Sequence, residues 1–219
     1  MSFFQWKEIL GSLPTDVNLL AVSKGHPPSS IKELVDYGQV DFGESRVQEA
    51  IQKQEVLREY SLRWHFIGHL QSNKARVVVR SFDYIHSVDS LALAQRISRI
   101  AREESKIPKI MLQVKFREDP TKGGFLPDQL LNDWDEIFAL DHLDLIGLMT
   151  MSPFHLPSKD RLVLFNECRL FANRLELPHC SMGMSLDWKE AVNAGSTWLR
   201  IGSGLFGARS SAVKRREEI

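Results

Sequence analysis

The chain has 219 residues, and its 28 Lys and Arg balance its 28 Asp and Glu, so the formal net charge is zero. That length supports one sizeable core, and the even balance argues against a sequence-independent grip on nucleic acid, which needs a basic face. Only two cysteines occur, Cys168 and Cys180, in no metal or redox spacing, and no stretch approaches the roughly 18 apolar residues of a membrane span. A soluble, cytoplasmic protein with two buried thiols is expected.

"MSFFQWKEILGSL" opens the chain with an amphipathic pattern, so residues 1–14 are expected to hold an N-terminal helix. It lacks the basic and long apolar regions of a signal peptide. Short apolar runs then recur at 17–23, 40–42, 63–67, 83–86, 109–114, 143–149, 179–182 and 197–201, and each reads as a strand. Amphipathic stretches lie between them. In "SLALAQRISRIAREES" (90–105), Leu91, Ala94, Ile97, Ile100 and Ala101 share one face, and a similar pattern spans about 158–175. The polar tail 210–219 carries Lys214-Arg215-Arg216, balanced at once by Glu217 and Glu218, and reads as a solvated end. Eight alternations in 219 residues average about 27 per unit, which predicts a single (β/α)8 TIM barrel over residues 1–219. A doubly wound open sheet has the same local pattern; the count of eight, with no G-x-G-x-x-G after the first strand, favours the barrel.

In such a barrel the chemistry sits where the strands end. The first strand, in "NLLAVSKGHPPSS", runs into Ser23 and Lys24, a lysine expected to be partly buried at the edge of an apolar run. The seventh runs into "CSMGMS" and the eighth into "RIGSGLFG", where Gly202 and Gly204 flank Ser203. Glycines there let backbone N–H groups approach an anion, so Ser185, Gly202 and Ser203 are candidate phosphate contacts; a plain tight turn is the other reading of "GSG". Arg200 lies in an apolar strand, either paired with an acid such as Asp187 or donating to a ring nitrogen in the mouth. A phosphate cup, an arginine for a heterocyclic nitrogen and a lysine across the mouth together describe pyridoxal 5′-phosphate (PLP), whose aldehyde forms a Schiff base with an amine. Lys24 could otherwise be a snorkelling or salt-bridged lysine.

Four stretches, "LLAVSKGHPPSSIKELVDYGQVDFGES", "WHFIGHLQSNKARVV", "IHSVDS" and "CSMGMSLDWKEAVNAGSTWLRIGSGLFGAR", resemble the pyridoxal phosphate homeostasis protein family from about residue 17 to 209. The resemblance implies a single barrel similar to the N-terminal domain of alanine racemase. It implies that Lys24, in the A-V-S-K motif, holds PLP as a Schiff base. It further implies a phosphate contact at Ser185, Arg200 facing the pyridine nitrogen, and Gly202 and Ser203 binding phosphate. Ser45, Met182, Ser196 and Thr197 stand as secondary cofactor-binding candidates. Three positions depart from the family pattern: Ser45 where F-G-E-N has Asn, Lys115 where an Asn often follows the fifth strand, and Asp119 for a usual Glu, while Lys122 and Gly124 keep K-x-G.

His65 and His69 straddle a strand end and lack a third ligand at suitable spacing, so no metal is expected. Met149, Met151, Met182 and Met184 fall near the mouth, with core packing their default role. Arg200 beside the ring nitrogen disfavours its protonation and mutes the electron sink. Racemisation needs two bases on opposite faces, and alanine racemase takes the second from a partner subunit's β domain; with only about ten residues after the last barrel motif, no such domain is expected here. No catalytic residue is therefore assigned. The expected role is PLP homeostasis (storage, buffering or delivery to PLP-dependent apoenzymes, with an influence on amino and keto acid balance), by a monomer with no nucleic-acid or membrane partner. A small amino-acid racemase is the alternative.

Overall fold

The computed structural model describes residues 3–119 and 121–207. Its strands are β1 (Asn18–Val22), β2 (Asp41–Glu44), β3 (Arg63–Phe66), β4 (Tyr84–Val88), β5 (Lys109–Gln113), β6 (Asp144–Met149), β7 (His179–Ser181) and β8 (Trp198–Ile201). They form a closed parallel barrel in chain order, β8 returning to β1 through registers such as Leu20↔Arg200. The helices are α1 (Phe3–Gly11), α2 (Pro28–Val35), α3 (Val47–Val56), α4 (Ala75–Ser81), α5 (Leu91–Glu103), α6 (Pro127–Asn132), α7 (Trp134–Phe138), α8 (Ser158–Arg174), α9 (Trp188–Asn193) and α10 (Ser203–Phe206).

Side-chain alternation along each strand divides the apolar residues into two cores. Leu19, Ala21, Phe42, Phe66, Ile85 and Leu199 point outward and pack under the helices in the principal core. Leu20, Tyr84, Met111, Ile146, Met149 and Trp198 form a separate interior cluster. α5 illustrates how a helix is specified. Ser90 Oγ accepts a hydrogen bond from the Leu93 N–H at 3.4 Å, a cap that contributes about 1 kcal/mol, and Ala94, Ile97 and Ala101 bury the predicted face.

The barrel and all eight strands match the expectation. β2 runs on through Gly43 and Glu44 because both pair with β3, at His65 and Phe66, and β4 continues to Val88 beyond a register shift after Ile85. The short α6 and α7 between β5 and β6 were not expected. The expected helix at 1–14 is Phe3–Gly11, and the tail 210–219 lies outside the described residues. Among the described residues no helix is long and apolar enough to cross a membrane.

Candidate functional site

A cavity of about 560 Å³ opens at the carboxyl ends of the strands, and Lys24, Ser185, Arg200, Gly202 and Ser203 all line it. Lys24 reaches it from the turn after β1. The Ser23 N–H makes the last ladder bond, to the Gly43 carbonyl at 3.1 Å, and the His26 N–H then closes back on the Ser23 carbonyl at 3.0 Å. Gly25 in this turn has φ 76°, a left-handed conformation that suits glycine. Lys24 is thereby lifted onto the rim and is exposed. This corrects the expectation of a partly buried lysine: the last buried residue of the run is Ser23.

The turn is pinned on both sides of Lys24 by a buried ionic cluster. Lys53 Nζ, from α3, donates to the Ser23 carbonyl at 2.7 Å and to Glu44 Oε1 and Glu49 Oε1, each at 2.6 Å. Ser23 Oγ donates to Glu44 Oε1 at 2.7 Å, and the Gly25 N–H donates to Glu49 Oε1 at 2.5 Å. Burial pushes the Glu44 carboxyl above its ordinary value despite the opposing pull of Lys53. For Glu49 burial also acts upward, but bonds from Lys53 and the Gly25 N–H outweigh it and the net shift is down.

Arg200 is buried, and its guanidinium ends on uncharged oxygens rather than on Asp187. Nη1 donates to the Ser181 carbonyl at 2.6 Å and to Ser181 Oγ at 2.8 Å, and Nη2 donates to the Thr150 carbonyl at 2.9 Å. Nε makes no hydrogen bond among the described residues, and the residue lines the cavity. Burial pulls its pKa down to about 10, so it keeps its charge at neutral pH. Asp187 instead accepts the Met184 N–H at 2.6 Å, and burial raises its carboxyl.

The loops after β7 and β8 meet opposite. Ser185 Oγ accepts from the Gly204 N–H at 3.3 Å, which ties one loop to the other. Gly183 makes the first loop feasible: its φ is +91°, and a Cβ there would lie 2.5 Å from Ala191 Cβ.

The secondary candidates lie elsewhere. Met182 follows inward-facing Ser181 by one residue, so it points outward into the principal core. Ser196 Oγ donates to the Met182 carbonyl at 2.7 Å, with the Cys180 and Trp198 carbonyls as alternative acceptors, and Thr197 Oγ1 accepts the Cys180 N–H at 2.9 Å, so both brace β7 against β8. Ser45 lines a neighbouring, wider cavity with Arg46, His69 and Lys74. Of the four methionines, Met151 and Met184 line the site cavity and Met149 sits in the interior core. Lys115 and Asp119 lie at a separate small pocket. His65 is sealed inside the barrel, whereas His69 stands on the rim beside Asp89 at 3.3 Å. Cys168 and Cys180 are buried free thiols.

Sequence reasoning missed two groups: the Glu44–Lys53–Glu49 clamp, and a row of buried polar side chains inside the barrel comprising Asp41, His65, His86 and Ser181. The available signal for the second was one polar residue set into each of several apolar strands.

The family profile described as the alanine racemase N-terminal domain matches residues 5–210. The pyridoxal phosphate homeostasis protein of Synechocystis sp. is 44% identical over 211 residues, covering 93% of this chain and 97% of its own. The chain belongs to the pyridoxal phosphate homeostasis protein family. The Escherichia coli K12 member is 37% identical, covering 93% of this chain and 91% of its own. Among solved structures, PipY of Synechococcus elongatus PCC7942 with PLP bound superimposes with a TM-score of 0.90 at 44% identity, over 93% of this chain and 98% of its own. Clostridium difficile alanine racemase shares the fold, with a TM-score of 0.77 at 18% identity, and this chain spans 56% of it.

Proposed function

We propose that this protein binds PLP in the cavity at the barrel mouth, covalently through Lys24, and serves the homeostasis of that cofactor rather than turnover of a substrate. The observation that carries the reading is convergence. A primary amine, a buried guanidinium and the Ser185–Gly202–Ser203 loops face one cavity of about 560 Å³, within the usual range for cofactor sites, in a chain 44% identical to a PLP-bound relative. When bound, PLP supplies an aldehyde for the Lys24 amine and an electron-withdrawing ring. Lys24 Nζ would hold the link at the rim, the loops would take the phosphate, and Arg200 Nε would donate toward the ring nitrogen.

Two features favour a carrier over an enzyme. Arg200 keeps its positive charge and so opposes a second positive charge on the ring, which weakens the electron sink. Exposure of Lys24 leaves the link open to competing amines, as delivery to an apoenzyme requires. In this reading residues 1–219 act as one cofactor-binding unit, a cytoplasmic monomer that hands PLP to recipient apoenzymes.

The test is incubation of PLP-loaded protein with L- and D-amino acids in D2O. The expected result is an absorbance band at about 420 nm from the lysine-linked cofactor, with no α-deuteration above the rate of free PLP. Deuteration at enzyme-like rates would establish a racemase instead.

A further inference from the structure

The interior of the barrel carries a continuous row of hydrogen bonds from the foot of β2 to the cofactor end. Asp41 Oδ1 lies 3.0 Å from His65 Nε2, His65 Nδ1 lies 2.9 Å from His86 Nε2, and His86 Nδ1 lies 2.8 Å from Ser181 Oγ. Arg200 Nη1 donates to that same Ser181 oxygen at 2.8 Å. His65, His86 and Ser181 are fully or almost fully buried, with the His65 ring stacked on Tyr84 at 4.0 Å and close to Trp198 at 4.8 Å.

The chemistry of the termini gives this row one direction. At the foot, Arg63 Nε and Nη2 donate to the two Asp41 oxygens at 2.6 and 2.5 Å, so Asp41 is a carboxylate and can only accept. Burial works against that charge, but the bonds from His65 and Arg63 outweigh it and hold the Asp41 carboxyl below its ordinary value. His65 must then carry its proton on Nε2; the opposite tautomer would aim a lone pair at the carboxylate. With Nδ1 bare, His65 accepts from His86 Nε2–H, which leaves His86 Nδ1 bare to accept from the Ser181 hydroxyl. Ser181 has given its only proton and accepts from Arg200. Burial lowers the pKa of both rings, so each is neutral and has one proton to place. Every member between the two charges therefore donates once and accepts once.

We infer that Ser181, His86, His65 and Asp41 form one polarised hydrogen-bond chain that positions Arg200 for the ring nitrogen. At its own end the guanidinium is otherwise fixed by the Ser181 and Thr150 carbonyls. The four are positioning residues, acting through Arg200, and the inference rests on the reading of Arg200 as the ring-nitrogen donor. Two charged terminal groups of fixed sign permit one proton arrangement, so a change at the ring-nitrogen end is felt at His86 and His65.

The test uses 15N-histidine-labelled, cofactor-free protein and long-range 1H–15N correlation of the two buried imidazoles. Expected are a protonated Nε2 and a bare Nδ1 on both rings. Ser181→Ala should shift His86 Nδ1 toward the value of a nitrogen without a donor and perturb His65 as well, and Ser181→Thr, which keeps the hydroxyl, should restore the wild-type pattern. Addition of PLP to wild type, with loading read independently from its absorbance, should move the His86 and His65 signals together. A proton on Nδ1 of either ring, or a His86 signal indifferent to Ser181→Ala, would overturn the chain. Full loading with both rings unmoved would overturn its role toward Arg200 while leaving cofactor binding intact.

Discussion

Replacing Lys53 with Met keeps the aliphatic stem and deletes the ammonium that holds the Lys24 turn. The lysine side chain is 5% exposed and its partner Glu44 is 0% exposed, so removal leaves a dry carboxylate facing a second one, Glu49. Breaking a buried pair from one side costs about 3–5 kcal/mol, which at this chain length lowers Tm by roughly 6–20 °C. The pH dependence supplies a sharper signature. Burial already raises the Glu44 carboxyl, and without Lys53 the remaining opposition is the Ser23 hydroxyl, so the folded state holds the Glu44 proton more tightly than the unfolded chain does. A group with a raised folded pKa contributes stability that is present at low pH and lost as pH rises through that pKa. The deficit of Lys53→Met should therefore be largest at pH 7 and shrink toward pH 5. Adding Glu44→Gln should recover part of it. Urea unfolding followed by circular dichroism at both pH values measures this. A variant within about 0.5 kcal/mol of wild type at pH 7, or a deficit that grows on acidification, would refute the buried-cluster argument.

Lys24→Ala should leave stability within about 0.5 kcal/mol of wild type, as expected for an exposed residue, while abolishing borohydride-stable attachment of PLP; thermal unfolding and intact mass measure the two effects. Ser185→Ala removes a hydroxyl that bridges the loops after β7 and β8; if it also holds the phosphate, loss of a charge-assisted bond of roughly 1.5–3 kcal/mol should raise the Kd for PLP about ten- to a hundredfold by absorbance titration. Gly183→Ala combines an unfavourable φ of +91° with a 2.5 Å clash on Ala191; it should destabilise the fold by at least about 1–3 kcal/mol in the same urea assay.

The barrel was legible in the sequence because its outward strand faces are apolar and repeat eight times between amphipathic helices. The mouth was legible because Gly202 and Ser203 follow β8 directly and Gly183 and Ser185 lie within four residues of the end of β7. What could not be read depends on contacts between distant strands. Lys53 sits in a helix rich in polar residues and looks like a surface lysine; only the docking of α3 on β2 buries it against Glu44. His86 bonds to Ser181 across a separation of 95 residues, which no local pattern reveals. Met182 shows how fine the margin is. It lies beside inward-facing Ser181, and the parity of β7 places it on the opposite face from the cofactor end. Lys24 shows the converse error: an apolar run suggested burial, but the strand ends two residues earlier and the turn carries the amine out to the rim.

Borohydride reduction of PLP-incubated protein, followed by proteolysis and mass spectrometry, tests the central claim most directly. One phosphopyridoxyl group is expected on the peptide containing Lys24, and none in Lys24→Ala. Stoichiometric labelling of another lysine, with Lys24 unmodified, would contradict it.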